Sequence, residues 1–185
     1  MNRNYEILDG NKAAAQVSYM FSDCAFVYPI TPATPMAEAV EALSVKGKSN
    51  LFNQTVSVKQ MQSEAGVAAA MHGCLASGSL CSTYTASQGL LLMVPNIYKM
   101  AAEHLPGVIY VASRSIATHA LSIFGDHSDI YSTRQTGACI FSVSNVQEVM
   151  DLAPVAHLSA VIGRLPVIFT FDGFRTSHEL QKIKV

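Results

Sequence analysis

Six short apolar runs, separated by longer alanine-rich stretches, constrain the fold of this chain more than any other feature of its sequence. The runs occupy residues 24–28, 55–59, 80–84, 107–112, 138–142 and 165–171, and several are rich in β-branched residues. Apolar runs of this length are typical of buried strands, and strands that alternate with helices form βαβ units around a parallel sheet. The sequence therefore predicts an α/β fold, with a doubly wound, mostly parallel sheet and helices on both faces.

The stretches between the runs have helical length and composition, and we predict helices at residues 11–21, 36–45, 63–76, 88–103 and 146–162. Thr34, which precedes a proline, resembles an N-cap, and Gly47 suits the far end of the same helix. Asn145 and Glu148 resemble a capping pair. Pro154 removes a helical hydrogen bond and predicts a kink or a second helix start.

The domain organisation follows from length and composition. A chain of 185 residues, half of them hydrophobic, is long enough for one domain with a large core and too short for several. Neither a low-complexity linker nor an internal repeat divides it, so we expect residues 1–185 to form a single domain. Residues 172–185 turn polar and are expected to end without a closing element, as in a chain cut at a domain edge.

Charge and cysteine content exclude several classes of protein. The 13 acidic and 12 basic residues nearly cancel, which argues against a nucleic-acid partner. We find no secretory signal pattern and no apolar stretch long enough to span a membrane, and we expect a cytoplasmic protein. The four cysteines lie far apart without metal-ligand spacing, so we predict buried thiols in a reducing compartment and no metal site.

Polar residues follow four of the predicted strands or begin the helices after them. Ligands of open parallel sheets bind at the carboxyl ends of the strands, so these segments are the first candidates for a site. They are YPITP at residues 28–32, QSEAG at 62–66, TASQG at 85–89 and the pair Ser113-Arg114. We expect a small polar ligand at this edge to meet all four segments.

Three residues in these segments could do chemistry, and each also has an ordinary structural explanation. Glu64 begins an alanine- and glycine-rich helix, where a carboxylate also simply stabilises the first turn. Arg114 follows a buried run and its planar fork matches a carboxylate, although a surface arginine paired with an acid is equally compatible. Thr31 lies between two prolines that hold its hydroxyl in place, or is a plain turn residue.

Other polar residues favour structural roles. The segment Gly125-Asp126-His127 lacks the glycine spacing of nucleotide-binding loops and is interpreted as a turn. The histidines have no nucleophile at recognisable spacing, and we expect satisfied structural histidines at His72, His104, His119 and His157.

The same segments carry a family resemblance. The stretches YPITPATPMAE, QTVSVKQMQSEAG, STYTASQGLLLMVPNIYKMA, HLPGVIYVASRSIATHALSIFGDHSDIYSTRQTG, NVQEVMDLAPVAHL and DGFRTSHELQKI occur in this order. Together they resemble the N-terminal domain of pyruvate:ferredoxin (flavodoxin) oxidoreductases, over about residues 5–183. The resemblance implies a domain that binds the pyrimidine end of thiamine diphosphate.

The resemblance implies a role for each candidate. Glu64 would hydrogen-bond N1′ of the aminopyrimidine and favour the 4′-imino tautomer, with which the cofactor removes its own C2 proton. Arg114 would pair with the pyruvate carboxylate and Thr31 would hydrogen-bond the substrate. The ring pocket would be lined by Pro29, Thr85, Ser87 and Gln88.

The resemblance also implies a larger enzyme, which converts pyruvate and coenzyme A to acetyl-CoA and carbon dioxide and reduces ferredoxin or flavodoxin. The diphosphate, its Mg²⁺ and the [4Fe-4S] clusters would be bound in domains or subunits that this chain lacks. We therefore expect little or no turnover from the 185 residues alone. The complete enzyme would be a homodimer, in the cytoplasm or, in a eukaryote, in an anaerobic organelle.

Two other functions remain open from the sequence. A related multidomain reductase could use such a module for structure or interaction without catalysis, but intact Thr31, Glu64 and Arg114 favour catalysis. A serine hydrolase that uses Ser87 would need a G-x-S-x-G elbow, which TASQG does not supply.

Overall fold

The computed structural model describes residues 4–185, and a six-stranded parallel sheet forms its centre. The strands in this part of the chain are β1 (Tyr5–Leu8), β2 (Cys24–Val27), β3 (Ser57–Gln60), β4 (Cys81–Thr85), β5 (Val108–Ser113), β6 (Cys139–Ser142), β7 (Val167–Asp172) and β8 (Gln181–Lys184). Strands β2 to β7 form the sheet, in the order β3-β2-β4-β5-β7-β6, and every neighbouring pair is parallel. All six predicted strands are confirmed, with boundaries within about two residues.

The helices flank these strands. They are α1 (Gly10–Phe21), α2 (Thr34–Val45), α3 (Glu64–Ala76), α4 (Ser87–Ala102), α5 (Ser128–Tyr131) and α6 (Val146–Gly163). The five predicted helices are confirmed, whereas α5 was not predicted because four residues are too short for a periodic pattern. Within the described part of the chain, no helix is both long and apolar enough to cross a membrane.

The sheet separates two hydrophobic cores, which confirms the doubly wound fold. On one face, α1, α2 and α6 pack against side chains such as Tyr110 and Phe169. On the other face, α3 and α4 pack against Ile109, Val111 and Ile168. Successive strand residues point to opposite faces, so a strand buried on both sides is apolar along its whole length, as β5 is.

The strand order changes direction between β2 and β4. After β2 the chain passes through α2 to the edge strand β3, and it then crosses back through α3 to β4 on the other side of β2. Helices α2 and α3 consequently cover opposite faces, which leaves a crevice above the carboxyl ends of β2 and β4. The predicted site segments lie around this crevice.

Two of the three predicted helix-end features are confirmed. Asn145 accepts a hydrogen bond from the Glu148 amide at 2.9 Å, and Gly47 adopts a left-handed φ of +66° just beyond α2, as predicted. The Thr34 prediction is wrong, because Ala33 occupies the N-cap and Thr34 is the first helical residue. Helix α6 continues through Pro154 and does not start a second time there.

The polar end of the chain is a strand, which corrects the expectation that it lacks a closing element. Strand β8 pairs with β1 in an antiparallel sheet, and Ile183 is 1% exposed in the core beside α6. The sequence QKIK holds one apolar side chain among polar ones, so its propensity is weak. Pairing with a strand at the other end of the chain supplies the missing hydrogen bonds.

Candidate functional site

The crevice at the carboxyl edge brings the predicted site segments together. Residues 28–33 follow β2, α3 begins at Glu64, residues 86 and 87 follow β4, and Arg114 follows β5. These segments are distant in sequence, and the parallel sheet places all of them at the same edge.

Glu64 is a buried carboxylate without a partner in the described residues. It lies in the first turn of α3, where Ser63 caps the helix by accepting from the Gly66 amide at 3.2 Å. Glu64 is only 7% exposed, yet among residues 4–185 no hydrogen bond or ion pair reaches its carboxylate. The Glu64 oxygens are not among the fully enclosed, unpaired polar atoms of the described residues, so they still face solvent and keep hydrogen-bonding capacity that a ligand can use.

The Glu64 side chain reaches the first turn of α4. A Cβ atom added to Gly89 would lie 2.7 Å from Glu64 Oε1 and 2.5 Å from Thr85 Oγ1. Only a glycine leaves space for both polar groups. The Thr85 hydroxyl is buried and has no hydrogen-bond partner in the described residues. Glu64 and Thr85 therefore form a polar corner with unused hydrogen-bonding capacity.

Arg114 is a buried cation without a counter-ion. The residue is 6% exposed, its Nη1 donates to the Thr31 carbonyl at 2.6 Å and its Nη2 donates to Gln88 Oε1 at 3.2 Å. Its Nε has no partner, and no carboxylate of residues 4–185 forms an ion pair with it. The alternative of an acid-paired surface arginine is therefore wrong, and an anionic ligand would compensate the charge.

The loop that follows β2 presents Thr31 next to this cation. The carbonyl of Thr31 is held by Arg114, and Asn11 Nδ2 donates to the Pro32 carbonyl at 3.1 Å. Thr31 and Pro29 are both exposed. The backbone of this loop is therefore braced by Arg114 and Asn11, while the Thr31 side chain makes no hydrogen bond to the described residues.

The hydroxyl group of Ser87, just after β4, already has acceptors within the protein. The Ser87 hydroxyl lies within hydrogen-bonding distance of Gln88 Oε1 and of the Ser115 carbonyl, the latter at 2.8 Å, and it donates to one of them at a time. No histidine hydrogen-bonds Ser87 among residues 4–185, so a base for the serine hydrolase alternative is missing. Contact of Ser87 and Gln88 with a cofactor stays a prediction.

Asp129 organises this edge, and the sequence analysis missed it. Its fully buried carboxylate accepts from the Ser87 amide at 2.9 Å, the Arg114 amide at 3.1 Å and the Ser113 hydroxyl at 2.7 Å. It also accepts from the Ile130 amide at 2.8 Å. Asp129 follows the Gly125 to His127 turn and belongs to the short helix α5, so no periodic pattern marks it.

The cysteines and the four histidines considered in the sequence analysis do not belong to the predicted site segments. All four cysteines are unpaired, but only Cys81 is buried, and Cys139 is exposed, so the buried-thiol prediction is wrong for Cys139. His157 is buried and shares a 2.9 Å hydrogen bond with the Tyr110 hydroxyl, as expected of a structural histidine. His72 also has a partner, since its Nε2 lies 2.6 Å from Glu103 Oε2. His104 and His119 are exposed to solvent.

Comparison with known sequences gives the family. Residues 16–185 match the family model described as pyruvate flavodoxin/ferredoxin oxidoreductase, thiamine diphosphate-binding. The chain is 57% identical over its full length to a pyruvate-flavodoxin oxidoreductase of Klebsiella pneumoniae and 58% identical over 97% of its length to a pyruvate:ferredoxin oxidoreductase of Moorella thermoacetica. It covers 16% and 15% of these two relatives, respectively.

Two further matches extend this comparison. A mitochondrial pyruvate dehydrogenase (NADP⁺) of Euglena gracilis is 49% identical over 98% of the chain, which covers 10% of that relative. Among solved structures, a 2-oxoglutarate:ferredoxin oxidoreductase of Magnetococcus marinus superimposes with a TM-score of 0.78 at 21% identity, over 92% of this chain and 30% of that one. At this identity the structural match shows the shared fold.

Proposed function

Because the chain belongs to the pyruvate flavodoxin/ferredoxin oxidoreductase family of thiamine diphosphate-binding domains, we propose that it forms the pyrimidine-binding and substrate-carboxylate-binding side of such an enzyme's active site. Residues 1–185 would act as one pyrimidine-binding domain. Since the chain spans about a sixth or less of the curated relatives described above, the activity belongs to a larger protein.

The proposed reaction is the oxidative decarboxylation of pyruvate. Pyruvate and coenzyme A give acetyl-CoA and carbon dioxide, and the two electrons released pass to ferredoxin or flavodoxin. When bound, thiamine diphosphate supplies the nucleophilic carbon and the electron sink that decarboxylation of a 2-oxoacid needs. The residues of this chain bind, orient and hold protons around that chemistry.

The unpartnered carboxylate of Glu64 is the observation that carries the proposal. Glu64 is 7% exposed at the polar corner beside Gly89 and Thr85, and no hydrogen bond or ion pair from residues 4–185 reaches its carboxylate. A pyrimidine ring nitrogen there would give Glu64 a hydrogen-bond partner, and a proton held between the two would polarise the ring. The Thr85 hydroxyl would satisfy a second polar atom of the same ring, while Pro29, Ser87 and Gln88 would border it.

Arg114 supports the substrate side of the proposal. Its buried guanidinium has no counter-ion among residues 4–185, and its Nε is without a partner. A 2-oxoacid carboxylate would supply the missing charge, and the exposed Thr31 hydroxyl would donate to the same substrate. Together these groups would orient the keto carbon toward the cofactor.

The rest of the enzyme would supply what this chain lacks. We place the diphosphate-binding site with its Mg²⁺, the [4Fe-4S] clusters and the ferredoxin or flavodoxin docking site in other domains or subunits, and we expect a homodimer. The four unpaired cysteines suit a reducing compartment such as the cytoplasm. The chain alone is expected to bind thiamine diphosphate weakly or not at all, and micromolar binding in calorimetry with Mg²⁺ present would contradict this division.

The experiment is Glu64→Gln in the complete enzyme, with Glu41→Gln on the exposed side of α2 as the control. The amide keeps the shape but cannot hold the proton as a carboxylate does, so exchange of the cofactor C2 proton should fall roughly 10²-fold. Exchange is followed by NMR. An unchanged rate with Glu64→Gln would remove Glu64 from cofactor activation and favour a non-catalytic, structural domain.

A further inference from the structure

Asn11 holds the loop that carries Thr31, although it lies outside the four segments predicted to form the site. The residue is 1% exposed in the first turn of α1, and its Nδ2 donates to the Pro32 carbonyl at 3.1 Å. A carbonyl oxygen only accepts hydrogen bonds, so this contact requires the NH₂ side of the amide. The other side, Oδ1, is fully enclosed and has no hydrogen-bond partner in the described residues. The amide of Asn11 therefore contacts the loop and is shielded from any ligand in the crevice.

Three consecutive carbonyl groups of this loop are hydrogen-bonded. The Ile30 carbonyl accepts from backbone amides within the loop and closes its turn. The next two carbonyls are held by side chains from outside the loop, that of Thr31 by Arg114 at 2.6 Å and that of Pro32 by Asn11. Since Arg114 is also proposed to bind the substrate, Asn11 is the outside contact that holds the loop without a second role.

The backbone of Asn11 is itself fixed by the other end of the chain. The Gly10 amide donates to the Thr176 carbonyl at 2.9 Å, and the Asn11 amide donates to the Ser177 carbonyl at 3.3 Å. These bonds satisfy amides that a helix start leaves without partners. A Cβ atom added to Gly10 would lie 2.4 Å from the Thr176 carbonyl oxygen, so a glycine is needed for this close approach. The start of α1 is therefore a fixed support from which Asn11 reaches the loop.

Stability does not account for an asparagine at this position. An enclosed acceptor without a partner destabilises the folded state by as much as, or more than, one neutral hydrogen bond stabilises it. Replacing Asn11 with alanine removes both the hydrogen bond to Pro32 and the unpaired Oδ1, and alanine is the better helix former. We therefore expect Asn11→Ala to fold with little change in the free energy of unfolding.

Building on the proposed function, we propose that Asn11 is a positioning residue, which orients the Thr31 hydroxyl toward the 2-oxoacid substrate without touching the substrate itself. The Thr31 side chain makes no hydrogen bond to the described residues, so its direction depends on the backbone that carries it. Arg114 holds the peptide group that follows Thr31, and Asn11 holds the one after that. Without Asn11 the loop keeps a single outside contact and can turn about it. A displacement of about 1 Å in a substrate-positioning group can lower a rate by about 10²-fold.

Asn11→Ala in the complete enzyme tests this role. We expect kcat/KM for pyruvate to fall about 10-fold or more, because the Thr31 hydroxyl is no longer held in place. Exchange of the cofactor C2 proton needs no substrate and should keep the wild-type rate, and urea titration should show an unchanged unfolding transition. Asn4→Ala, at an exposed position, is the matched control and should behave as wild type in all three measurements.

A double-mutant cycle with Thr31→Val shows whether Asn11 acts through Thr31. Valine keeps the shape but has no hydroxyl, so Asn11→Ala should have little further effect on kcat/KM in that background. The inference is overturned if Asn11→Ala leaves kcat/KM unchanged, slows C2 proton exchange as well, or has the same effect with and without the Thr31 hydroxyl.

The same cycle separates failure of this inference from failure of the proposed function. A normal Asn11→Ala beside an impaired Thr31→Val overturns the role of Asn11 and leaves the proposed substrate site standing. A normal Thr31→Val removes Thr31 from that site, and the role of Asn11 falls with it. The pyrimidine side is tested independently by Glu64→Gln.

Discussion

Arg114 donates a hydrogen bond from Nη2 to Gln88 Oε1 at 3.2 Å, and this contact joins the two halves of the proposed active site. Gln88 precedes Gly89, against which the Glu64 carboxylate lies. In the first turn of α4, Gln88 therefore contacts Arg114, the group proposed for substrate binding. The next residue, Gly89, lies against Glu64, the group proposed for cofactor activation. The predictions below separate these two roles.

Arg114→Lys should impair substrate binding without affecting cofactor activation. Lysine keeps the charge but loses the planar fork that reaches two acceptors, and a desolvated charge-assisted pair is worth about 2 to 3 kcal/mol. We expect roughly 30- to 150-fold lower kcat/KM for pyruvate in the complete enzyme and an unchanged rate of C2 proton exchange. Arg134→Lys, at an exposed position, is the control. Loss of both pyruvate turnover and C2 proton exchange would indicate a structural role for Arg114.

Gly89→Ala should displace the Glu64 carboxylate. The new methyl group would lie 2.7 Å from Glu64 Oε1 and 2.9 Å from its Cγ, so the side chain must move away from the polar corner. We expect C2 proton exchange to fall about 10-fold or more. Gly73→Ala in α3 is a matched control, since its methyl group meets nothing within 4 Å. That control should keep normal exchange and gain roughly 0.5 to 1 kcal/mol of helix stability.

Asp129→Asn should destabilise the carboxyl edge although it changes only one atom. Oδ2 accepts from the amides of Ser87 and Arg114, and Oδ1 accepts from the Ile130 amide, so an amide NH₂ at either position faces an N–H group. We expect the free energy of unfolding to fall by about 1 to 3 kcal/mol. Urea titration measures this, with Glu41→Gln on the exposed side of α2 as the control. Equal stability of the two variants would contradict the organising role of Asp129.

His157 should make stability fall as the pH drops below about 6.5. Burial lowers the pKa of folded His157 from 6.5 to about 3, so unfolding takes up a proton between these values and stability is fully present only above the upper one. The loss is about 1.4 kcal/mol per pH unit in that range. Urea titrations at pH 7.5 and 5.5 should differ by about 1.4 kcal/mol less in His157→Phe than in wild type. His119→Gln, at an exposed position, should retain the wild-type difference.

Local sequence patterns determined the fold class and the identities of the main candidate residues. The apolar runs and alanine-rich stretches predicted all six strands of the parallel sheet and the five long helices, because burial on both faces requires long apolar segments. The rule that ligands bind at the carboxyl ends of strands then selected Glu64, Arg114 and Thr31, and these three do lie at one edge.

Tertiary structure alone decided which polar groups remain free. Thr85 and Ser87 look alike in the sequence, but the Ser87 hydroxyl has acceptors in the protein and that of Thr85 has none in the described residues. Asp129 gains its role from backbone amides that follow two different strands.

Contacts between distant segments also decided the pairing of the terminal strands and the positions of two cysteines. Strands β1 and β8 are only four residues long, and each is stabilised by pairing with the other from the opposite end of the chain. Cys24 and Cys81 lie side by side because β2 and β4 are neighbouring parallel strands. Local propensity reports on a few consecutive residues, whereas strand order and hydrogen-bond partners depend on the packing of the whole chain.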